Sequence, residues 1–130
     1  MAAPIRLEGP IALLGAGDHP HAARRLREAF SFLEWHEVSR PSPEAPSVRL
    51  RLDPALPEGA FWLTIDEAAQ PPVIDIAGGP FSGVIYGAEE LIQRRFRRVG
   101  KALEVQAGQV RQAPGLPYRT FWTWDHSTNW

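Results

Sequence analysis

The chain has 130 residues, of which 44% are hydrophobic and 22% are charged, and its formal net charge is −1. This composition is typical of a folded globular domain rather than a disordered tail, and a chain of this length buries roughly two-thirds of its unfolded surface. Because cysteine is absent, disulfide scaffolds and thiolate metal sites are excluded. The nearly balanced charge provides no field that would draw the whole molecule to nucleic acid or to a membrane.

The start of the chain lacks the basic and apolar regions of a signal peptide, and no apolar run approaches the roughly 18 residues that span a bilayer. We therefore expect neither a signal peptide nor a transmembrane segment, and the localisation stays open. The fourteen basic residues include a single lysine, Lys101, a bias that indicates a GC-rich bacterial genome.

The first half of the chain predicts one strand, one helix and then three strands. Ile11–Leu14 is a short apolar run that Gly15-Ala16-Gly17 ends, which is typical of a buried strand and a turn. A helix follows, with Asp18 as its cap and with an apolar stripe at Ala22, Leu26, Ala29, Phe30 and Leu33. Alternating apolar residues then predict three strands, which form an antiparallel hairpin joined to the sheet, at Val48–Leu52, Phe61–Asp66 and Val73–Ile76.

The second half predicts a helix and one further strand. Ser82 is the expected cap, Gly100 the expected end, and the apolar stripe comprises Ala88, Leu91, Ile92, Phe96 and Val99. Leu103–Val105 is the last predicted strand, and 106–116 is interpreted as a connector. The order β-α-β-β-β-α-β predicts an α/β sandwich, in which a small mixed sheet of four to five strands packs with two helices.

Several local patterns have both a functional and a structural interpretation. Gly15 and Gly17 match two positions of a dinucleotide-binding fingerprint, but its third glycine falls on Pro20, so a tight turn explains the pair equally well. His19 and His21 have no further metal ligand at a suitable spacing. The arginines at 94, 95, 97 and 98 are expected in the last turns of the second helix rather than in a nucleic-acid patch. The adjacent carboxylates Glu89-Glu90 and Asp66-Glu67 point to different faces and form no acid–base pair.

The second helix carries the most specific motif of the chain, from Gly83 to Gln93. Its pattern G-x-x-Y-G-a-x-x-L-x-Q follows a strand pair and a short turn. It resembles the small α/β domain that precedes the catalytic barrel in xylan-acting α-glucuronidases and in β-N-acetylhexosaminidases. The resemblance implies a domain without catalytic residues that supports the barrel.

The last fourteen residues contain three of the five tryptophans among polar side chains. Leu116-Pro117-Tyr118-Arg119 resembles the linker and the first barrel strand of the same families, and the Arg to Trp-Asp spacing is closer to the α-glucuronidases. Thr120 replaces the glycine of the hexosaminidases, and His126 replaces the asparagine of the α-glucuronidases. The resemblance implies substrate contacts through Arg119, Trp124 and Asp125.

These observations lead to one main hypothesis and two alternatives. Residues 1–116 would form a non-catalytic N-terminal domain of a bacterial glycoside hydrolase, and 117–130 the linker and the truncated start of a catalytic (β/α)8 barrel. Its partners would be that barrel and, through the parent enzyme, a carbohydrate; no cofactor, metal, nucleic acid or membrane is expected. The alternatives are a stand-alone carbohydrate-binding or adaptor module and a nucleotide-binding domain that uses Gly15–Gly17.

Overall fold

The computed structural model describes residues 4–66, 70–113 and 120–122, with only the backbone in the last range. These residues form two helices and ten strands. In chain order they are β1 (Ile5–Leu7), β2 (Pro10–Leu14), α1 (Pro20–Ala29), β3 (Glu34–Val38), β4 (Ser47–Leu52), β5 (Phe61–Asp66), β6 (Val73–Gly78), α2 (Gly83–Arg94), β7 (Arg97–Val99), β8 (Ala102–Val105), β9 (Gly108–Gln112) and β10 (Thr120–Trp122).

A mixed sheet of seven strands, the main sheet, has the order β10-β9-β5-β6-β4-β2-β3. Strands β3, β2, β4 and β6 are parallel, whereas β5, β9 and β10 each run antiparallel to their neighbours. The carboxyl ends of the four parallel strands therefore meet at one edge of the sheet. We call this the carboxyl edge; the turn after β2 and the loop before α2 both lie there.

Both helices cover the same face of the main sheet, and we call that the covered face. Alternate residues of each strand point to it because the side chains of a strand alternate between its two faces. Its fully buried aliphatic side chains include Ile11 and Leu13 of β2, Val48 of β4, Leu63 of β5, Ile74 and Ile76 of β6, and Val110 of β9. The helices add Ala22, Leu26, Val84, Ala88 and Leu91.

A second sheet of three strands, β1-β8-β7, closes the core beside the carboxyl-terminal ends of the helices. Its inward residues Leu7, Leu103 and Val105 belong to the same apolar cluster as the main sheet. Phe96 follows α2 and packs edge-to-face on Phe30, with their ring centroids 4.7 Å apart.

The mixed sheet with two helices confirms a small α/β fold, but the main sheet has more strands than the four to five predicted. The interpretation of 106–116 as a connector is wrong for its central part, since β9 pairs with β5 along Phe61–Ile65. The hairpin prediction is correct for β5 and β6, whereas β4 joins β6 in parallel.

Both helices end earlier than their apolar stripes predict. Helix α1 ends at Ala29, because the indole of Trp35 donates to the carbonyl of Phe30 at 3.1 Å and the chain turns there. Helix α2 ends at Arg94, and Arg97 and Arg98 lie on β7 rather than in its last turns. Gly100 does not end the helix; it forms the β7–β8 turn with a φ of 62°.

Of the two capping predictions, that for Asp18 is wrong and that for Ser82 gives the correct position. Residue 19, not Asp18, is the N-cap of α1, and Pro20 begins that helix as expected. Ser82 is the N-cap of α2, but neither N-cap side chain hydrogen-bonds to its helix. The start of each helix is therefore set by backbone contacts, such as the bond from the Tyr86 amide to the Ser82 carbonyl at 3.0 Å.

Candidate functional site

The three residues assigned to the sugar site, Arg119, Trp124 and Asp125, lie outside the described residues. The backbone of Thr120–Trp122 between them forms β10, which pairs antiparallel with β9 as an edge strand of the main sheet. The boundary between a domain of 1–116 and a barrel segment of 117–130 stays a prediction. The candidate sites that follow belong to the described part of the chain.

The glycine turn after β2 has a structural explanation. Gly15 has a φ of +83°, and a Cβ atom at this position would lie 2.0 Å from the carbonyl oxygen of Leu50. A glycine is therefore required there whether or not a ligand binds. The shallow pocket beside it is also lined by Asp18 and Glu37, whose negative charges disfavour a phosphate group.

The histidines beside this turn gain no metal-ligand set in the structure. Burial lowers the pKa of His19, so its neutral form is favoured in the fold. Among the described residues, no group of three histidine or acidic side chains is arranged to hold a metal ion.

The arginines after α2 contact groups of the domain itself and do not form a separate basic patch. Arg95 is buried and donates from its Nε atom to Glu90 at 2.8 Å. Arg97 pairs with Glu104 at 3.0 Å. Arg98 donates to the carbonyl of Gly100 at 2.8 Å and lies over the ring of Phe32. Their contacts favour a structural role over phosphate binding.

The adjacent carboxylates of α2 point apart, as predicted. Glu89 accepts two hydrogen bonds from Arg25 of α1, at 2.6 and 3.1 Å, and this contact lowers its pKa. Glu90 points instead into the core beside Arg95. The first pair joins the two helices and the second secures the end of α2, so they form no acid–base pair.

The motif of α2 divides into residues that the fold explains and one that it does not. A Cβ atom at Gly83 would lie 2.3 Å from the carbonyl oxygen of Ala60, and one at Gly87 would lie 2.6 Å from a methyl group of Ile76. Both glycines therefore let the helix approach the sheet, and Leu91 is fully buried. Tyr86 is 52% exposed instead, so the packing of the domain does not account for it.

Tyr86 lines a cleft between α2 and the strands β5 and β9, which we call the Tyr86 cleft. Its volume is about 400 Å³, and its lining includes Phe61, Tyr86, Glu89, Gln93, Arg94 and Gln112. The cleft combines two aromatic rings with amide and charged groups, a mixture that suits a polar partner with an apolar patch. Gln112 in its lining belongs to β9, the strand that pairs with β10.

The loop before α2 presents a second exposed aromatic residue. Phe81 has a φ of 69° and is 85% exposed. The loop is tied to its neighbour by backbone bonds from Gly79 to Ala60 at 2.8 Å and from Gly59 to Pro80 at 3.2 Å. A left-handed backbone is costly for a bulky residue, so the surrounding loop holds this ring in solvent against local preference.

The second candidate surface is the face of the main sheet opposite the helices, which we call the open face. No helix in the described part of the chain packs on it. Its central strands carry a cluster in which Asp75 accepts hydrogen bonds from two arginines. Arg49 lies 2.8 Å and Arg51 3.0 Å from the Asp75 carboxylate, and this bonding raises the pKa of Arg51.

An aromatic and amide row continues the open face across β5 and β9. The guanidinium of Arg111 lies 3.6 Å from the centroid of the Trp62 ring. Arg111 also donates to Gln109 at 3.1 Å, and Gln109 donates to the hydroxyl of Thr64 at 3.0 Å. The sequence indicates only part of this surface: alternation separates Arg49 and Arg51 from the core, whereas Arg111 falls in the supposed connector.

No protein-family model matches this chain, and no curated protein matches it at a significant level. Within the described residues, neither helix is both long and apolar enough to cross a bilayer. The candidate function therefore depends on the two surfaces and on the motif of α2.

Proposed function

We propose that this chain is the N-terminal accessory domain of a bacterial glycoside hydrolase of the α-glucuronidase type, and that it supports a catalytic barrel. The observation that carries the proposal is the Tyr86 cleft, which lies between α2 and the strands β5 and β9 and is lined by the exposed motif residue Tyr86. In this arrangement Tyr86, a motif residue that the packing of α2 leaves exposed, would contact the barrel.

The chemistry of the cleft supports a protein partner. A tyrosine with an exposed ring and hydroxyl contributes apolar area and a hydrogen bond at an interface. Gln93 and Gln112 add amide groups at the rim. The ion pair between Arg25 and Glu89 lies beside them and holds α2 against α1, so the surface is rigid before it is covered.

In this proposal the domain performs no chemistry of its own. Arg119, Trp124 and Asp125 would contact the sugar only within the parent enzyme, by stacking and by charge-assisted hydrogen bonds. The catalytic carboxylates would come from later strands of the barrel. We therefore expect the purified 130-residue chain to release no product from aryl glycosides or aldobiouronic acids.

The test compares two substitutions in the parent protein and in the isolated chain. Tyr86→Ala should lower the melting temperature and the activity of the parent, while it leaves the melting temperature of the isolated chain nearly unchanged. Leu52→Ala is the matched control, because Leu52 is similarly exposed, at 53%, but does not line the cleft. Equal effects of both substitutions in the parent would contradict a barrel contact at Tyr86, and a coding region without a barrel would contradict the whole proposal.

A stand-alone carbohydrate-binding module is the second candidate, and the aromatic and polar open face favours it. The two candidates differ in what the isolated chain does with neutral xylo-oligosaccharides. Saturable binding that Trp124→Ala abolishes would favour the module. No binding, together with a barrel encoded downstream, would favour the accessory domain.

A further inference from the structure

We propose that the open face binds an acidic polysaccharide, a glycan that carries uronate carboxylates. The binding surface is its basic half, which consists of Arg49, Arg51, Trp62 and Arg111 around Asp75. The inference rests on the proposed function only in its choice of a glycan among polyanions. It concerns a surface that neither the barrel contact at Tyr86 nor the sugar site at Arg119 uses.

The strand register places two of the three arginines, Arg51 and Arg111, in one row across the sheet. Arg51 lies beside Ala77, Ala77 beside Trp62, and Trp62 beside Arg111. Three strand spacings of about 4.8 Å separate the backbones at the two ends of the row by about 14 Å. The guanidinium groups lean inward from there, Arg51 onto Asp75 of β6 and Arg111 onto the Trp62 ring of β5. Ala77 between Arg51 and Trp62 is 1% exposed, so the longer side chains around it form the surface at the centre of the row. This geometry fits a short run of sugar rings laid across the strands.

The charge of this half favours an anion. Two exposed arginines share one carboxylate, because Asp75 accepts hydrogen bonds from both Arg49 and Arg51, and Arg111 adds a third cation two strands from Asp75. The side chain of Asp75 is only 15% exposed, whereas those of Arg49 and Arg51 are 46% and 42% exposed. The cations are therefore presented to solvent, and the anion beneath them holds them in position.

Asp75 lies within the basic half, and Asp53, just after β4, is close enough to act on the charge of Arg51, but the other acidic residues of the open face lie toward its other end. The register pairs Asp66 with Val73 and Glu34 with Pro10, at the starts of β6 and β2. Glu34 also contacts His36 at 2.5 Å. The face is thus polarised along the strands, with its basic half at the carboxyl edge, where a uronate would be attracted and oriented.

The pair of Trp62 and Arg111 gives the row its specificity for a planar acid. Stacking on the indole fixes the plane of the guanidinium, and a guanidinium binds a carboxylate through donors that lie in that plane. The neighbouring Thr64 and Gln109 provide hydroxyl and amide groups that hydrogen-bond sugar hydroxyls.

Nucleic acid is the competing polyanion, and the structure favours a glycan over it. Nucleic-acid affinity comes mainly from many phosphate contacts along a basic track. Here two of the three arginines share a central carboxylate, and the whole chain carries a net charge of −1. A sparsely charged glycan needs few such contacts, and its hydroxyl groups match the amide and hydroxyl side chains between them.

The experiment titrates the purified chain with three oligomers of similar length: an oligogalacturonate, a neutral xylo-oligosaccharide and oligothymidylate. Binding is measured by calorimetry, and the contact is located by NMR shifts of the Trp62 indole and arginine Nε signals. We expect the oligogalacturonate to bind most tightly and its affinity to fall as salt rises. Arg51→Gln should weaken it by about tenfold, since a charge-assisted hydrogen bond is lost.

Arg97→Gln is the matched control, because Arg97 is an exposed arginine on the other sheet and should leave the affinity unchanged. Arg49→Gln is a second variant that tests the same surface should Arg51→Gln alter the fold. Absent binding, equal losses in Arg97→Gln and Arg51→Gln, or equal affinity for the xylo-oligosaccharide or oligothymidylate would each overturn the inference. None of these results would affect the barrel contact, which the Tyr86 substitution tests separately.

Discussion

The two faces of the main sheet are built from alternate residues of the same strands, yet their chemistry differs sharply. On β5, Leu63 points to the helices and is 1% exposed, while its neighbours Trp62 and Thr64 point to the open face and are only partly buried. The covered face is aliphatic and closed by two helices. The open face joins its strands through ion pairs, a stacked guanidinium and amide bonds. One face therefore accounts for stability, and the other remains available for recognition.

Truncation of neighbouring residues on β5 tests this difference most directly. Leu63→Ala should reduce the free energy of unfolding by about 2–5 kcal/mol, because it removes a fully buried side chain and leaves a cavity. Thr64→Ala removes only the bond from Gln109 and should cost about 1 kcal/mol. Urea unfolding followed by circular dichroism measures both. Similar losses would mean that the open face is covered as tightly as the helical one.

Two glycines of the turn after β2 should also differ in how much their substitution lowers the free energy of unfolding, although by less than the two residues of β5. Gly15→Ala places a methyl group against the Leu50 carbonyl in a left-handed backbone, and it should cost about 1–3 kcal/mol or more. Gly17→Ala is the matched control, since nothing lies within 4 Å of a Cβ atom there, and its effect should stay within about 0.5 kcal/mol. Equal losses of stability in Gly15→Ala and Gly17→Ala, measured by thermal unfolding, would show that the Leu50 backbone moves away from the added methyl group at little cost.

Much of the covered face could be predicted from the sequence, because burial on one side leaves a period of two. Strand β5 has the predicted bounds, and β4 and β6 extend the predicted strands by one and two residues. The sequence did not predict strand β9, because Val110 is its one fully buried residue and a single apolar residue makes no alternating pattern. The strand forms by pairing with β5. The sequence did not predict strand β3 for a related reason. Glu37, which faces the helices, forms an ion pair with Arg27, so the strand lacks a second apolar residue that would show the alternation.

The candidate surfaces were harder to predict because they join residues that are distant in sequence. The alternation on β4 separated Arg49 and Arg51 from the core, but their shared carboxylate lies 24 residues beyond Arg51. Trp62 and Arg111 meet only through the β5–β9 register. The end of α2 was misplaced because helical periodicity does not reveal that Arg95 turns inward to Glu90. Local patterns predicted both helices and the strands β2, β4, β5, β6 and β8, whereas the surfaces depend on tertiary pairing.

The smallest expected effect is a dependence of stability on pH, which arises in the three-stranded sheet and not in the apolar core. Hydrogen bonds from Arg6 and then Arg97 lower the pKa of Glu104 in the fold. A carboxylate whose folded pKa is depressed stabilises the protein above its ordinary pKa, and this contribution is lost as pH falls through the folded value. Stability should therefore decline as pH falls below the ordinary pKa of glutamate, about 4.3, and less steeply in Glu104→Gln. Glu58→Gln, an exposed loop residue, is the matched control; equal slopes of unfolding free energy against pH in both variants would contradict the assignment to Glu104.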